Sequence, residues 1–536
     1  MNPRSRFSTD WFLLAGFCGF LFFFGLASFG LIGMDEPRYA QVAREMFARH
    51  DWITPTLGGK PWLEKPALYY WQAMLAYAVF GVSDWVARLP SAVDATLMVA
   101  AIYLFLRGFC SGFELDGALM TASAAGVIGF ARAASTDMPL AATFTIALLA
   151  WYVWQEGGKK LYLALFYVFL GLGVLAKGPV ALFLAAIIVV IFSMAMGDAR
   201  LIWRTLWLPG ILLFCAAVLP WYIAVQIRNP EFFRVFILEH NFARFGTNLY
   251  HHKEAFWYYL PVVLLGLLPW TIFVVVALID NIRAWWAGRR KLSSEEALSV
   301  FLAIWLVVPI IFFSTSQSKL PGYILPALPA ATVLLSVYLR ESVTTDVRPG
   351  ALRIVLHSAV AALTIVPALM AGYILQQHRL PRGRAEEIPL ALAAVLFVGI
   401  AMVLIRFGLR TLRAVTLLPV LLTLAIAISR GAPIVDATMS LRPVARELTR
   451  LDSRPLPLAI FLLPHESEYG LQFYSNQALG RYELGQIPAG EHIVVALEGL
   501  QARLAKRAAG RRVVYLGNFA AQHLDYYYVS AAEAGN

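Results

Sequence analysis

The sequence predicts a mostly α-helical, polytopic membrane protein that ends in a small α/β domain. Of its 536 residues, 60% are hydrophobic and only 14% are charged, whereas globular proteins carry about 25% charged residues. About thirteen stretches are apolar enough to span a bilayer, which takes about 20 such residues. From about residue 437, short apolar runs alternate with polar stretches instead. These observations exclude an ordinary soluble enzyme and a disordered chain.

The predicted spans extend over most of the chain. They lie near 11–33, 86–106, 116–131, 138–154, 161–176, 179–196, 205–225, 257–279, 298–314, 321–339, 354–376, 388–405 and 412–429. The N-terminus and alternate loops carry Arg and Lys, which the positive-inside rule assigns to the cytoplasm. An odd number of spans then predicts a cytoplasmic N-terminus and an external C-terminus. We interpret the net charge of +11 as this loop charge, and we expect no nucleic-acid partner.

The first outer loop, about 34–85, predicts two helices at the membrane surface. Five residues at helical spacing form one apolar face opposite charged residues: Tyr39, Val42, Ala43, Met46 and Phe47. Such a helix is expected to lie flat on the membrane surface. A second helix is expected over 67–80, stopping at Gly81, because fourteen residues are few for a span.

The C-terminal residues predict a soluble α/β domain, 437–536, after a transmembrane domain, 1–436. Candidate strands cover 458–463, 492–497, 512–516 and 525–530. A helix is expected over 498–508, between two of these strands. Strands and a helix of this length suit a small layered domain outside the membrane.

Polar residues gather at the outward-facing ends of the predicted spans, and the middles of the spans are almost free of charge. Asp94 and His357 are the clear exceptions, with Arg88 near a helix end. Ion-coupled transporters usually hold carboxylates or broken helices at mid-depth, so a transporter or flippase is the weaker hypothesis. A noncatalytic scaffold would leave the outer acid and base pairs unexplained. The layout favours chemistry at the outer interface on a substrate with a lipid tail and a polar head.

Two acidic motifs open predicted helices at this outer face. Asp35 and Glu36 precede Pro37 and Arg38, and Asp137 follows Thr136. Asp is a good helix N-cap, so a structural interpretation stands for each acid. The alternative is a carboxylate that acts as a general base, orients an acceptor or holds a cation.

Three further motifs combine acidic, basic, histidine and aromatic side chains. They supply Glu64 and Lys65; His240, Arg244 and His251; and Lys319 and Tyr323. Lys and Arg are partners for phosphate, and His and carboxylate ligands suit Zn²⁺. Each motif also has a simpler interpretation: an interfacial ion pair, solvated histidines, a snorkelling lysine and an aromatic-belt tyrosine. The His spacing is not that of a closed metal site.

These motifs occur in a fixed order along the chain: DEPRYAQVAREMFARHDWITP, WLEKPALYYW, ARLPSA, STDMPL, AKGP, EHNFARF, HHK and SKLPGYILPALP. The set resembles the bacterial 4-amino-4-deoxy-L-arabinose lipid A transferases of the GT-C class, with the protein O-mannosyltransferases as more distant relatives. It covers roughly 10–430 and, more loosely, the C-terminal domain. The resemblance implies thirteen spans and a periplasmic C-terminal domain. It also implies inverting sugar transfer from an undecaprenyl-phosphate carrier at the periplasmic face of the inner membrane.

The resemblance also implies roles for individual residues. The acids near the reacting centre would be Asp35 and Asp137, and the residues themselves add Glu36, the carboxylate adjacent to Asp35, as a further candidate. Contacts to the carrier phosphate would come from Lys65, Arg244 and Tyr323, with Lys177 and Lys319 in support. Arg38, in the same motif as Asp35, is a further candidate for substrate binding. A divalent metal, Zn²⁺ or Mg²⁺/Mn²⁺, would lie near Glu64 and His240, and His251 in the HHK motif is a further candidate ligand. The sequence departs from the pattern at Ala67, where many relatives have a second Pro, and at Gly322, where a larger polar residue is common.

The acceptor decides what the acids must do. A lipid A phosphate is already ionised and needs no general base, whereas a hydroxyl on a protein or another glycan needs one. In both cases cations would neutralise the departing polyprenyl phosphate. Transfer of 4-amino-4-deoxy-L-arabinose to lipid A is the leading hypothesis, and transfer to protein or another glycan remains open.

Overall fold

The computed structural model is mostly helical and describes residues 3–243, 254–286, 294–346, 349–366, 384–451, 454, 456–508 and 510–531. The chain divides into two compact units. The first comprises Met1–Phe24, Leu63–Tyr69 and Arg88–Ala427, and the second comprises Gly25–Trp62, Tyr70–Ala87 and Ile428–Asn536. Most of the first outer loop therefore belongs to the same unit as the C-terminal residues. The domain boundary at residue 437 stays a prediction.

The first unit consists of helices. The α-helices are Pro3–Cys18, Asp84–Phe109 (from Arg88 on), Glu114–Ser123, Ala125–Ala131, Asp137–Gly157, Lys160–Lys177, Val180–Ala195, Arg200–Thr205, Leu208–Arg228, Tyr259–Gly266, Thr271–Trp286, Ser294–Ser314, Leu328–Thr344, Ala351–Leu363, Arg384–Phe407 and Leu412–Ile426. Wider π-helical turns form Gly19–Phe23 and Phe233–Ala243, and tighter 3₁₀ turns form Phe256–Tyr258, Pro321–Ala327 and Gly408–Thr411.

Seven helical stretches among the described residues are long and apolar enough to cross a membrane. The number is eight if the bent pair Phe256–Gly266 and Thr271–Arg283 is one span. One of the seven, Leu390–Met439, has 50 residues, far more than the roughly 20 that one crossing needs. Three shorter apolar helices fall below the length criterion: Phe7–Phe23, Val180–Ala195 and Ala351–Leu363. The chain is a multi-pass membrane protein, and the count of thirteen spans stays a prediction.

Two segments that the sequence predicts as single spans are interrupted. The segment near 116–131 breaks at Ala124, whose backbone is extended (φ −66°, ψ 131°), and the segment near 257–279 bends by 118°. The two breaks meet, because the Ala125 N–H donates to the Leu268 carbonyl at 2.9 Å. Trp270 Nε1 donates to Ser123 Oγ at 3.0 Å. Irregular backbone is tolerated in a membrane protein where other protein groups satisfy it, as here.

A helical hairpin positions one end of the candidate site. Asp137–Gly157 and Lys160–Lys177 are joined by Gly158, which has a positive φ of 69°. The helices approach closely near their far ends, where a Cβ at Gly173 would lie 3.3 Å from Thr143 Oγ1. The hairpin therefore brings its first residue, Asp137, beside its last, Lys177.

The second unit begins with the first outer loop. The first predicted helix is confirmed as Asp35–Ala48, with Tyr39, Val42, Ala43 and Met46 of its apolar face buried. Its location at the membrane surface stays a prediction. The short hairpin Thr56–Leu57 and Lys60–Pro61, which the sequence did not predict, is held by Glu45. This carboxylate accepts from Thr56 Oγ1 at 2.7 Å and from the Gly58 N–H at 2.8 Å. The second predicted helix is confirmed as Leu68–Phe80, and Gly81 follows it with a φ of 78°.

The C-terminal residues form a five-stranded mixed sheet. Its order is Gly480–Arg481, Leu458–Phe461, His492–Leu497, Leu524–Val529 and Val513–Phe519, with the first three strands parallel and the last two joined antiparallel. The four predicted strands are confirmed, whereas the edge strand Gly480–Arg481 was missed. The helices of this part are Ala432–Met439, Arg442–Leu451, His465–Ser475 and Gln501–Arg507. Apolar side chains pack on both faces of the sheet.

Arg442 ties the first outer loop to the C-terminal residues within this unit. Its guanidinium lies 3.0 Å from Asp84 Oδ2 and 2.9 Å from Asp436 Oδ2. It also donates to the carbonyls of Ala27 at 3.0 Å and Ser28 at 3.2 Å. Burial lowers the pKa of Arg442, but the two carboxylates outweigh burial and the pKa ends above its usual value. A charge this well paired fixes the loop that leads into helix Asp35–Ala48.

Candidate active site

Asp137 and Lys177 form an ion pair at the mouth of the helical hairpin. Lys177 Nζ donates to Asp137 Oδ1, and the two side chains are only 10% and 13% exposed. The helix N-cap is Thr136, not Asp137, and no side chain makes a capping hydrogen bond there. The structural interpretation of Asp137 as an N-cap is therefore wrong. Removing either partner would leave a largely buried charge uncompensated, which is costly.

Tyr323 and Gly322 complete this cluster from the 3₁₀ segment Pro321–Ala327. Lys177 Nζ lies 4.7 Å from the centre of the Tyr323 ring, a distance at which a cation is attracted to an aromatic face. Gly322 faces the carboxylate, since a Cβ at this position would lie 2.6 Å from Asp137 Cγ. One cation is thus held between a carboxylate and a ring, and the glycine leaves room for the carboxylate.

Lys319 and Tyr259 fix the segment that precedes Tyr323. Lys319 Nζ donates to the Ser316 carbonyl at 2.6 Å and to the Glu254 carbonyl at 3.2 Å. Its side chain is buried, so Lys319 does not snorkel to the membrane surface. The Tyr259 hydroxyl lies 3.2 Å from both the N–H and the carbonyl of Leu320. These bonds position the loop, and a contact between Lys319 and the substrate stays a prediction.

Arg132 adds a cation near the end of helix Ala125–Ala131. Its Nη1 donates to the carbonyls of Leu21 at 3.2 Å and Phe24 at 2.8 Å. Burial, followed by repulsion from Arg88, lowers the pKa of Arg132 to about 10. The guanidinium stays charged at neutral pH. Arg132 was not predicted as a site residue, and its carbonyl partners lie more than 100 positions away in the sequence.

Asp35 and Arg38 form an ion pair within the second unit. Arg38 Nη2 donates to Asp35 Oδ1; the Asp35 side chain is 48% exposed and the Arg38 side chain only 12%. The N-cap residue of this helix is Met34, with no capping side chain, so the N-cap interpretation of Asp35 is also wrong. Glu36 is buried and accepts the Ile32 N–H at 3.0 Å. A catalytic role for Glu36 stays a prediction.

The Arg38 guanidinium is surrounded by aromatic rings. Its carbon lies 5.1 Å from the Trp62 ring centre, 5.2 Å from Tyr39 and 5.8 Å from Tyr469. Rings of this kind orient a guanidinium by stacking and cation–π attraction. Arg38 is thereby held in one orientation beside the partly exposed carboxylate of Asp35.

The remaining predicted residues are only partly described. Glu64 and Lys65 are half-buried in the first unit, just before helix Leu68–Phe80. Arg244 and His251 lie outside the described residues, and so does the side chain of His240. Within the part of the chain that the structure describes, no group of three or more His, Cys, Asp or Glu could hold a metal ion. The metal site, of which only Glu64 is described, stays a prediction.

Comparisons with known proteins support the motif resemblance. Residues 64–223 match the family of dolichyl-phosphate-mannose-protein mannosyltransferases. The chain is 34% identical over 335 residues to the undecaprenyl phosphate-alpha-4-amino-4-deoxy-L-arabinose arabinosyl transferase of Pseudomonas aeruginosa. A transferase of the same name from Edwardsiella ictaluri is 31% identical over 342 residues. The resemblance is confirmed. The alignments cover 61% and 62% of this chain but only 58% and 60% of these relatives.

The likeness in fold extends along nearly the whole chain. The crystal structure of ArnT from Cupriavidus metallidurans bound to undecaprenyl phosphate matches with a TM-score of 0.78 and 23% identity. The match covers 98% of each chain. At this identity the likeness concerns the fold alone, and it supports the mostly helical, multi-pass fold that the sequence predicted.

Proposed function

We propose that this chain transfers 4-amino-4-deoxy-L-arabinose from undecaprenyl phosphate to lipid A at the periplasmic face of the bacterial inner membrane. The observation that carries the proposal is the cation Lys177, held between Asp137 and Tyr323 in a chain that aligns with transferases named for this donor. The basic loops support a cytoplasmic N-terminus and a periplasmic C-terminal domain.

The chemistry requires positive charge at the leaving group. Transfer breaks the bond between the anomeric carbon of the sugar and an oxygen of the carrier phosphate, while an acceptor oxygen attacks from the opposite face. Negative charge grows on the departing phosphate, and a cation already in position stabilises it without reorganisation. Asp137 and Tyr323 hold Lys177 Nζ in such a position. In this proposal Lys65 and Arg244 supply the further charge that the phosphate needs.

When the acceptor is a lipid A phosphate, the acids orient the neighbouring cations and do not act as bases. That phosphate is ionised at neutral pH and attacks without losing a proton, so no general base is needed. Asp137 then holds Lys177, and Asp35 holds Arg38. We keep a divalent metal as a hypothesis for Glu64, His240 and His251, since Zn²⁺ accepts carboxylate and imidazole ligands. No step of the mechanism depends on it.

A second candidate is transfer to a protein or another glycan. It is favoured by the match of residues 64–223 to the protein mannosyltransferase family. A hydroxyl acceptor must lose its proton, and a partly exposed carboxylate such as Asp35 would accept it. The two candidates differ in which molecule gains the sugar.

Mass spectrometry of cell fractions tests the proposal. Lipid A from cells that express the chain is expected to carry an added aminopentose that is missing when the chain is deleted or replaced by Lys177→Ala at equal expression. Unmodified lipid A together with newly glycosylated membrane proteins would instead establish the second candidate. Lipid A and proteins that are the same in all three strains would reject both.

A further inference from the structure

A cavity of about 110 Å³ opens at the end of helix Arg384–Phe407 in the first unit. It is bounded by that helix end, the 3₁₀ segment Gly408–Thr411 and the residues at the end of Leu328–Thr344. Tyr323 precedes the first residue of Leu328–Thr344, whereas the cavity lies at its last turn. A 17-residue helix is roughly 25 Å long, so the cavity is separate from the Lys177 cluster.

Charged and polar groups line this cavity. They are Ser342, Asp346, Arg406 and Arg410. Among the described residues of the lining, two guanidiniums against one carboxylate give a net positive charge. The Arg406 guanidinium lies 5.4 Å from the Phe407 ring, which orients it. A volume of this size far exceeds the space that one water molecule needs and admits a phosphodiester group.

An exposed apolar strip leads to the cavity along one helix face. Val395, Val398, Met402 and Ile405 are exposed and follow each other at steps of three and four residues, so they share a face of Arg384–Phe407. The strip ends beside Arg406, where the cavity begins. In a multi-pass membrane protein such a face contacts acyl chains, and basic pockets between membrane helices bind anionic lipid headgroups.

We propose that this cavity binds the headgroup of an anionic phospholipid with a glycerol headgroup. Its phosphodiester contacts Arg406 and Arg410, a glycerol hydroxyl donates to Asp346, and an acyl chain lies along the apolar strip. The net positive lining favours an anionic over a zwitterionic lipid. An ethanolamine headgroup could place its ammonium on Asp346. Phosphatidylethanolamine is therefore the lipid whose binding tests the choice of an anionic over a zwitterionic headgroup.

Native mass spectrometry of the full chain, released from detergent, measures the lipid preference. The protein is titrated with phosphatidylglycerol, phosphatidylethanolamine and phosphatidylcholine of the same acyl chains, and with glycerol 3-phosphate alone. We expect about tenfold tighter binding of phosphatidylglycerol than of either other lipid, with a loss of that preference in Arg406→Gln/Arg410→Gln. Glycerol 3-phosphate is expected not to compete, because it lacks the acyl chain.

Matched variants keep the proposal falsifiable. Arg200→Gln removes an exposed arginine from another helix and should leave the preference unchanged. Asp346→Asn removes the one carboxylate among the lining residues that the structure describes, and it keeps an oxygen that accepts the glycerol hydroxyl. It should tighten phosphatidylglycerol binding severalfold, and this result does not depend on the folding of the double arginine variant. Equal binding of all three lipids, an unchanged preference in the double variant, or competition by glycerol 3-phosphate would overturn the proposal. Tighter binding of phosphatidylethanolamine would overturn the choice of an anionic headgroup.

Discussion

A single added methyl group at Gly322 is expected to disable the proposed site. In Gly322→Ala the Cβ would lie 2.6 Å from Asp137 Cγ and 3.0 Å from Oδ2, whereas ordinary contacts start at 3.4 Å. The carboxylate must therefore move by about 0.8 Å or more and loses its fixed geometry with Lys177. A displacement near 1 Å costs about 100-fold in rate. Overpacking adds about 1–3 kcal/mol of destabilisation.

The assay is sugar transfer by the purified protein, with thermal unfolding measured on the same preparation. Gly399→Ala is the matched control, because Gly399 also lies in a helix of the first unit and has no neighbour within 4 Å of its Cβ position. We expect Gly399→Ala to transfer at the normal rate with an unchanged or slightly higher melting temperature. Gly322→Ala should fall in rate by about 100-fold.

A double-mutant cycle identifies the cause of that loss. If Gly322→Ala acts by displacing Asp137, adding it to Asp137→Ala should cost nothing further, because the displaced carboxylate is already absent. Normal transfer by Gly322→Ala would refute the reasoning. So would a double variant much slower than Asp137→Ala alone, since the methyl group would then act elsewhere.

Four further predictions follow from the sequence and the structure. Asp35→Asn should lose most activity without a change in melting temperature, and full activity would show that transfer does not depend on the Asp35 carboxylate. Lys65→Ala and Arg244→Ala should each abolish transfer in folded protein, and near-normal turnover in both would reject the phosphate site. Burial lowers the pKa of His492 below its usual 6.5 in the folded chain. As the pH falls, His492 therefore takes up a proton at a higher pH in the unfolded chain than in the folded chain, which destabilises the folded chain. The melting temperature should therefore decrease as the pH is lowered from 6.5, and it should decrease less in His492→Gln than in the unsubstituted protein. Equal decreases in the two proteins would contradict this prediction. Alkaline phosphatase fused after residue 536 should be active, and an inactive but expressed fusion would reject the topology.

The spacing of apolar residues along the chain predicted those helices and strands that bury one regular apolar face. The helix Asp35–Ala48 and the strand His492–Leu497 follow from the spacing of apolar residues alone. Breaks inside apolar segments left no such signal. Ala124 is extended because its neighbour, Ala125, donates to the carbonyl of Leu268, far along the chain. Nothing in the local composition near Ala124 indicates that partner.

The candidate site was predictable in its residue types but not in its pairs. Asp137 was identified by its motif, yet its partner Lys177 lies 40 positions away, and the motif resemblance implied only a supporting role for Lys177. The N-cap interpretation of Asp35 failed because Arg38, one turn along the same helix, binds the carboxylate. A one-turn spacing of acid and base signals this pair. The contact between Gly322 and Asp137 depends on packing and has no sequence signal.

The most direct test of the proposed function is sugar transfer by the purified chain in vesicles. Undecaprenyl phosphate-linked 4-amino-4-deoxy-L-arabinose and lipid A are supplied together, with a peptide and a glycan as competing acceptors. We predict one aminopentose added to lipid A for each undecaprenyl phosphate released, at a rate that falls more than about tenfold in Lys177→Ala. Carrier release with the sugar on the peptide or glycan, or an undiminished rate in Lys177→Ala, would contradict the account.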